Sequence, residues 1–127
     1  MAGISRLQKQ EGSLGETIFH KIIRREIPAE ILFEDDKCIV IRDINPVSPT
    51  HLLIIPKQDI SSINAVEPSD SALIGHLVVV ARDMAASLGL KESGYRLVFN
   101  NGESAGQTVF QLHLHLLGGR EFGWPPG

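Results

Sequence analysis

Phe110-Gln111-Leu112-His113-Leu114-His115-Leu116-Leu117-Gly118-Gly119 sets an apolar residue at every second position and a histidine at two of the positions between. Successive side chains of a strand point to opposite faces. Read this way, Phe110, Leu112, Leu114 and Leu116 share a core face, and Gln111, His113 and His115 share the other, open face. The strand is expected from Thr108 to Leu117. It is entered from NNGESAGQ (residues 100–107), where glycines favour a turn.

Working outward, TIFHKIIRREI (residues 17–27) has helical spacing, Thr17 as N-cap and Pro28 as its stop. Three β-rich runs follow, at 30–34, 38–43 and 51–57. Asp35, Asp36 and Lys37 turn between the first two, and INPVSPT forms an ordered loop before the third. Pro68-Ser69-Asp70-Ser71 opens a long helix. Its core face is Leu73, Leu77, Val80, Ala81, Met84 and Leu88, and Gly89 is its stop. Another strand spans Tyr95 to Asn100. Short connections between consecutive strands predict an α+β domain: a five-stranded antiparallel sheet with one short and one long helix. Residues 1–15 read as a flexible N-terminal tail and 16–127 as one domain.

The chain has 127 residues, 43% of them apolar, enough for one core. Lysine and arginine number 12 against 15 acidic residues, a net charge of −3, which speaks against a nucleic acid polymer as partner. A single nucleotide remains compatible, since backbone amides can hold one phosphate. The single cysteine, Cys38, favours a reducing compartment and is expected as buried filler. No apolar run approaches 18 residues, so no membrane span is expected. The expected setting is cytoplasmic, or nuclear as well in a eukaryote.

Three chemistries suit the His-x-His pair. It can be a solvated strand face. It can supply metal ligands, with His51 or His76 as further donors. It can be a nucleophile with a partner, since a neutral imidazole attacks phosphorus and a second one donates a proton or stabilises charge. The glycine-containing loop and the Thr108 hydroxyl supply what a phosphate needs, and this combination is the strongest local argument for a phosphate site.

QTVFQLHLHLLGGREFGWPPG resembles the histidine triad signature, and more narrowly its Hint branch of nucleotide-binding proteins. ETIFHKIIRREIPAEILFEDDKCIVIRDINPVSPTHLLIIPK and GYRLVFNNGESAGQTVF resemble it too, so the likeness covers residues 16–127. It implies a HIT-like fold with sheets joined across a homodimer, and ligands that are purine nucleoside monophosphates and phosphoramidates. It also implies hydrolysis of nucleoside 5′-phosphoramidates and aminoacyl adenylates through a nucleotidyl-histidine, with no metal or other cofactor.

By the same resemblance His113 is the nucleophile, His115 its partner near the phosphate, and His51 a supporting histidine. Thr108 stands beside the leaving group, and Asn100, Gly106 and Gln107 at the phosphate loop. Asp43 binds the ribose hydroxyls. Ile18, Phe19, Ile22, Ile27 and Ile44 wall the base pocket. Trp124 belongs to a tail near the partner's active site.

Gln111 departs from the first triad histidine. It keeps the backbone carbonyl that orients the nucleophile, so a loss of roughly tenfold or less is expected. Ile41 and Arg42 are a smaller departure, the branch often having an aromatic residue beside the base at the position of Ile41.

Each residue also has a plainer reading. The isoleucines and Phe19 suit a core, Asp43, Asn100 and the glycines suit turns, and Trp124 suits a packing anchor. His20 is expected in solvent and His76 on the polar side of the long helix. Rival functions are a nucleotide-binding scaffold that has lost its chemistry, a metal-dependent hydrolase, and a dinucleoside polyphosphate hydrolase of the Fhit branch.

Overall fold

A computed structural model describes residues 16–127. The expected tail over residues 1–15 lies outside the described residues. Helix α1 (Ile18–Ile23) leads into β1 (Ile31–Glu34), β2 (Cys38–Arg42) and β3 (Thr50–Pro56). Helix α2 (Ser71–Ser87), β4 (Tyr95–Val98) and β5 (Leu114–Gly118) follow. The sheet order is β1-β2-β3-β5-β4, with every neighbouring pair antiparallel. This is the expected α+β architecture. Helix α2 carries the chain past β3 to the edge position of β4, and β5 returns to fill the gap.

Strands β2 and β3 are apolar at consecutive positions because both of their faces are covered. Cys38, Val40, Leu52 and Ile54 face α2 and pack with its Leu77, Val80, Ala81 and Ala85. Ile39, Ile41, Leu53 and Ile55 face the other way and pack with Phe19 and Ile22 of α1. The sheet thus separates two apolar layers.

Helix α1 is shorter than expected. Thr17 Oγ1 accepts from the backbone N–H groups of Phe19 and His20, and His20 Nδ1 accepts from the Thr17 N–H at 2.9 Å. This reciprocal cap starts the helix. It ends at Ile23, ahead of Pro28, because Arg25 adopts a left-handed conformation with φ of 64°. His20 is therefore folded into the cap rather than free in solvent, with Nε2 3.2 Å from Asp59 Oδ1.

Helix α2 stops where Gly89 predicts, at φ 79°. The N–H of Gly89 donates to Ala86 O and that of Leu90 to Ala85 O, a Schellman ending. The ending swings Leu90 into the core (6% exposed), leaving Leu88, an expected core residue, 38% exposed. Ala85 fills that side of the helix instead.

The last strand also differs from expectation, beginning at Leu114 rather than Thr108. The Leu112 N–H donates to Ile60 O at 2.7 Å, outside the ladder, and the Gln107 amide holds Val109 O at 3.2 Å. The segment therefore bends before it pairs. Leu112, Leu114 and Leu116 still reach the α2 core. Phe110 is only half-buried, and Gln111 is buried completely instead of joining an open row.

Leu116 is wholly buried between β3 and β4 partners and the α2 layer. Leu116→Ala should cost about 2–5 kcal/mol, read as a lower midpoint in urea denaturation with an unchanged slope.

Candidate active site

The face of the sheet under α1 carries the polar cluster. Leu53 pairs with His115 across β3 and β5, so His51, two residues before Leu53, is the diagonal neighbour of His115 on that face. Their rings meet, with His51 Nε2 2.9 Å from His115 Nδ1. His113 precedes β5 on the same side. Its ring lies 4.9 Å from that of His115 and meets Phe19 edge-on at 4.9 Å.

Hydrogen bonds assign the protons. The Val47 N–H donates to His51 Nδ1 at 3.1 Å, so the His51 proton is on Nε2. That N–H donates to His115 Nδ1, which leaves the neutral His115 with its proton on Nε2. His113 Nδ1 donates to the Gln111 carbonyl at 2.7 Å, which leaves a lone pair on His113 Nε2. The cluster thus presents one nucleophilic nitrogen and one N–H donor.

Burial keeps all three rings uncharged. It pushes the pKa of His51, His113 and His115 below the ordinary 6.5. For His115, its own burial, then His113 and then His51 lower the value to about 4 against the pull of Asp43. Asp43 sits just beyond β2. Its Oδ1 accepts from the Asn45 N–H at 2.8 Å, as the turn reading expects, and its Oδ2 lies 3.4 Å from His51 Nε2. Asp43, His51 and His115 also offer three donor atoms within 4.8 Å of one another, a set able to hold a cation.

The cluster closes one end of a cleft of about 390 Å³, within the range of small-molecule sites. His113, His115, His51, Thr108 and Asp43 line it, together with Ile18, Phe19, Ile22, Ile27 and Ile44. Phe19 and Ile22 serve the core reading and the pocket reading at once, whereas Ile44 is 83% exposed and belongs to no core.

The remaining expected residues do not line this cleft. Gln107 is buried and braces its loop, accepting from the Gly102 N–H and donating to the Ser61 and Val109 carbonyls. The N–H groups of Gly106 and Gln107, expected to face a phosphate, donate to Glu103 O and Gly102 O. Asn100 lies near Gly106, where an added Cβ would be 3.8 Å from Asn100 Nδ2. Trp124 is 83% exposed and lies over Arg96.

Gln111 sits beneath the cluster. Thr17 Oγ1 already accepts from two backbone groups and donates its proton to Gln111 Oε1 at 2.7 Å. Gln111 Nε2 is buried and has no partner among the described residues. Sequence reasoning missed both Thr17 and Val47 as parts of the site. A backbone donor such as the Val47 N–H leaves no mark on residue identity, and Thr17 reads only as a cap.

The chain matches the HIT domain over residues 24–122. An uncharacterised HIT-like protein of Synechocystis is 56% identical over 88% of this chain and 97% of its own length. The HIT family hydrolase of Legionella pneumophila superposes with a TM-score of 0.86 at 51% identity, over 88% of this chain and 100% of that one. The histidine triad nucleotide-binding protein of Candida albicans superposes at 0.73 with 32% identity, over 85% and 82%.

Nuclear magnetic resonance titration of the free protein should place all three site histidines below 6.5, with His115 near 4. Between those values the unfolded chain binds protons that the folded one refuses. These groups' contribution to stability is therefore complete above about pH 6.5 and is lost as pH falls towards 4.

Proposed function

The chain belongs to the HIT domain family, and from that premise we propose that it hydrolyses purine nucleoside 5′-phosphoramidates, including AMP joined to an amine, and aminoacyl adenylates. The observation that carries the reading is the free lone pair on His113 Nε2, left by the bond from Nδ1 to the Gln111 carbonyl. That nitrogen attacks phosphorus, and the bond from phosphorus to the leaving amine breaks. The amine takes a proton from His115 Nε2 or through Thr108. Water then attacks the nucleotidyl-histidine and returns a proton to the group that protonated the amine, the P–N bond to His113 breaks, and the nucleoside monophosphate leaves.

The substrate carries a single negative charge at phosphorus, so neutral donors suffice to stabilise the transition state. A nucleophile with a depressed pKa is ready at neutral pH. The purine lies against Ile18, Phe19, Ile22, Ile27 and Ile44, which accounts for an apolar Ile44 standing in solvent. Asp43 accepts from the ribose hydroxyls. Its contact with His51 then links sugar binding to the histidine chain. Of the loop residues, Asn100 remains assigned to the phosphate, with Gly106 and Gln107 shaping the loop that carries it.

The reading includes a homodimer. Strand β4 is a sheet edge, so its outer backbone row has no strand partner among the described residues, the usual platform for joining two sheets. Trp124, exposed at the C-terminal end, is then placed to approach the partner's cleft. A cytoplasmic setting completes the proposal. Among the described residues no helix is long and apolar enough to cross a membrane.

The test is release of a fluorescent amine from an adenosine 5′-phosphoramidate in EDTA. Turnover should persist, and His113→Ala should reduce it to roughly a thousandth or less. Loss of turnover in EDTA would instead favour a metal-dependent reaction at Asp43, His51 and His115. AMP binding without turnover, restored by Gln111→His, would make the protein a scaffold that has lost its chemistry. In an active enzyme Gln111→His should change kcat by no more than about tenfold, roughly 1.4 kcal/mol. Asp43→Asn should raise KM by about tenfold with a smaller effect on kcat.

A further inference from the structure

On the opposite side of the sheet from the cleft, three side chains of different donor chemistry converge. Asp35 follows β1, Cys38 opens β2, and His76 lies in the first half of α2. One donor atom from each lies within 4.8 Å of the other two. Asp35 Oδ2 is 2.7 Å from His76 Nε2. We propose that Asp35, Cys38 and His76 form a structural site for a zinc-class divalent cation, clamping the β1–β2 turn to α2.

The carboxylate is already oriented as a ligand. Its Oδ1 accepts from the N–H groups of Lys37 and Cys38, both at 2.8 Å, which leaves Oδ2 aimed at His76. Such outer bonds fix the direction of a metal-binding carboxylate. Cys38 is fully buried, so the ion enters from the side of Asp35 and His76, whose side chains are 25% and 31% exposed. That open side leaves room for water as a fourth ligand. Tetrahedral zinc with bonds of about 2.0–2.3 Å sets its donors roughly 3.3–3.8 Å apart. The Asp35–His76 contact must therefore open by about half an ångström, within the reach of two partly exposed side chains.

A hydrogen bond holds Asp35 beside His76, and the Cys38 sulfur adds a third donor to the pair. Burial, and then the Asp35 charge, push the Cys38 thiol pKa up, so the thiol stays protonated and neutral until a cation displaces its proton. On binding, the thiol releases its proton to solvent and its sulfur bonds the metal as thiolate. The His76 ring proton moves from Nε2 to Nδ1, freeing Nε2 as ligand. One proton leaves for each ion bound, so binding tightens about tenfold for each unit of pH rise.

Cys38 is the only cysteine in the chain, which makes the test specific. The full-length reduced protein is titrated with cobalt(II), and the near-ultraviolet sulfur-to-cobalt charge-transfer band is recorded. The alternative donor set at Asp43, His51 and His115 contains no sulfur and cannot produce this band. The expected result is a band saturating at one equivalent, abolished by zinc and absent in Cys38→Ser. His76→Gln, at a partly exposed position, should bind at least tenfold more weakly while keeping its circular dichroism spectrum. Absence of the band in folded protein, or affinity unchanged in both His76→Gln and Asp35→Asn, would overturn the proposal.

Discussion

The chemistry available at the cleft rests on one hydrogen bond, from His113 Nδ1 to the Gln111 carbonyl. It decides which imidazole nitrogen has a lone pair, and it ties that decision to backbone rather than to a side chain. The carbonyl is itself held in place. Gln111 is locked beneath the site by Thr17, and Thr17 caps the helix whose Phe19 packs edge-on against His113. One six-residue helix therefore supports His113 from two directions. Among the described residues Gln111 Nε2 has no partner, and a buried unpaired donor costs of the order of 1–3 kcal/mol.

The second organising effect is electrostatic. Burying three imidazoles side by side disfavours charge on each of them. A single carboxylate, Asp43, pulls the other way and does not win. The cluster acts as a set of oriented dipoles that carry protons without holding net charge. Such a set suits a reacting centre whose own negative charge stays small.

The alternation leading into β5 was readable because Leu112, Leu114 and Leu116 obey the period of two that a buried face imposes, and α2 because its apolar stripe obeys the period of a helix. Its stop at Gly89 was readable from residue identity. What failed has a common cause. The bend before Leu114 depends on the Leu112 bond to Ile60 O and on the Gln107 bond to Ser61 O, both long-range contacts that local pattern does not encode. The early end of α1 depends on Arg25 taking a left-handed conformation that sequence assigns to glycine or asparagine. At the site, the His113 and His115 pair was legible from its spacing, His51 and Asp43 from the family resemblance, and the structure brings them together. The loop donors were not legible as spent, because whether an N–H is committed within its own turn is a matter of conformation.

The partition of the core by β2 and β3 has a thermodynamic consequence. Residues such as Val40 and Ile41 are chain neighbours, yet they belong to layers separated by a backbone plane. Side-chain relaxation in one layer reaches the other only by deforming hydrogen-bonded strands, which are stiff. Perturbations within a layer are coupled through shared contacts, whereas those across the plane combine almost independently. The layer under α2 can thus drift in composition, absorbing gains and losses of fit, while the geometry of the histidine face stays nearly constant. The sheet gives this small chain two separately adjustable interiors, and the histidine cluster answers to only one of them.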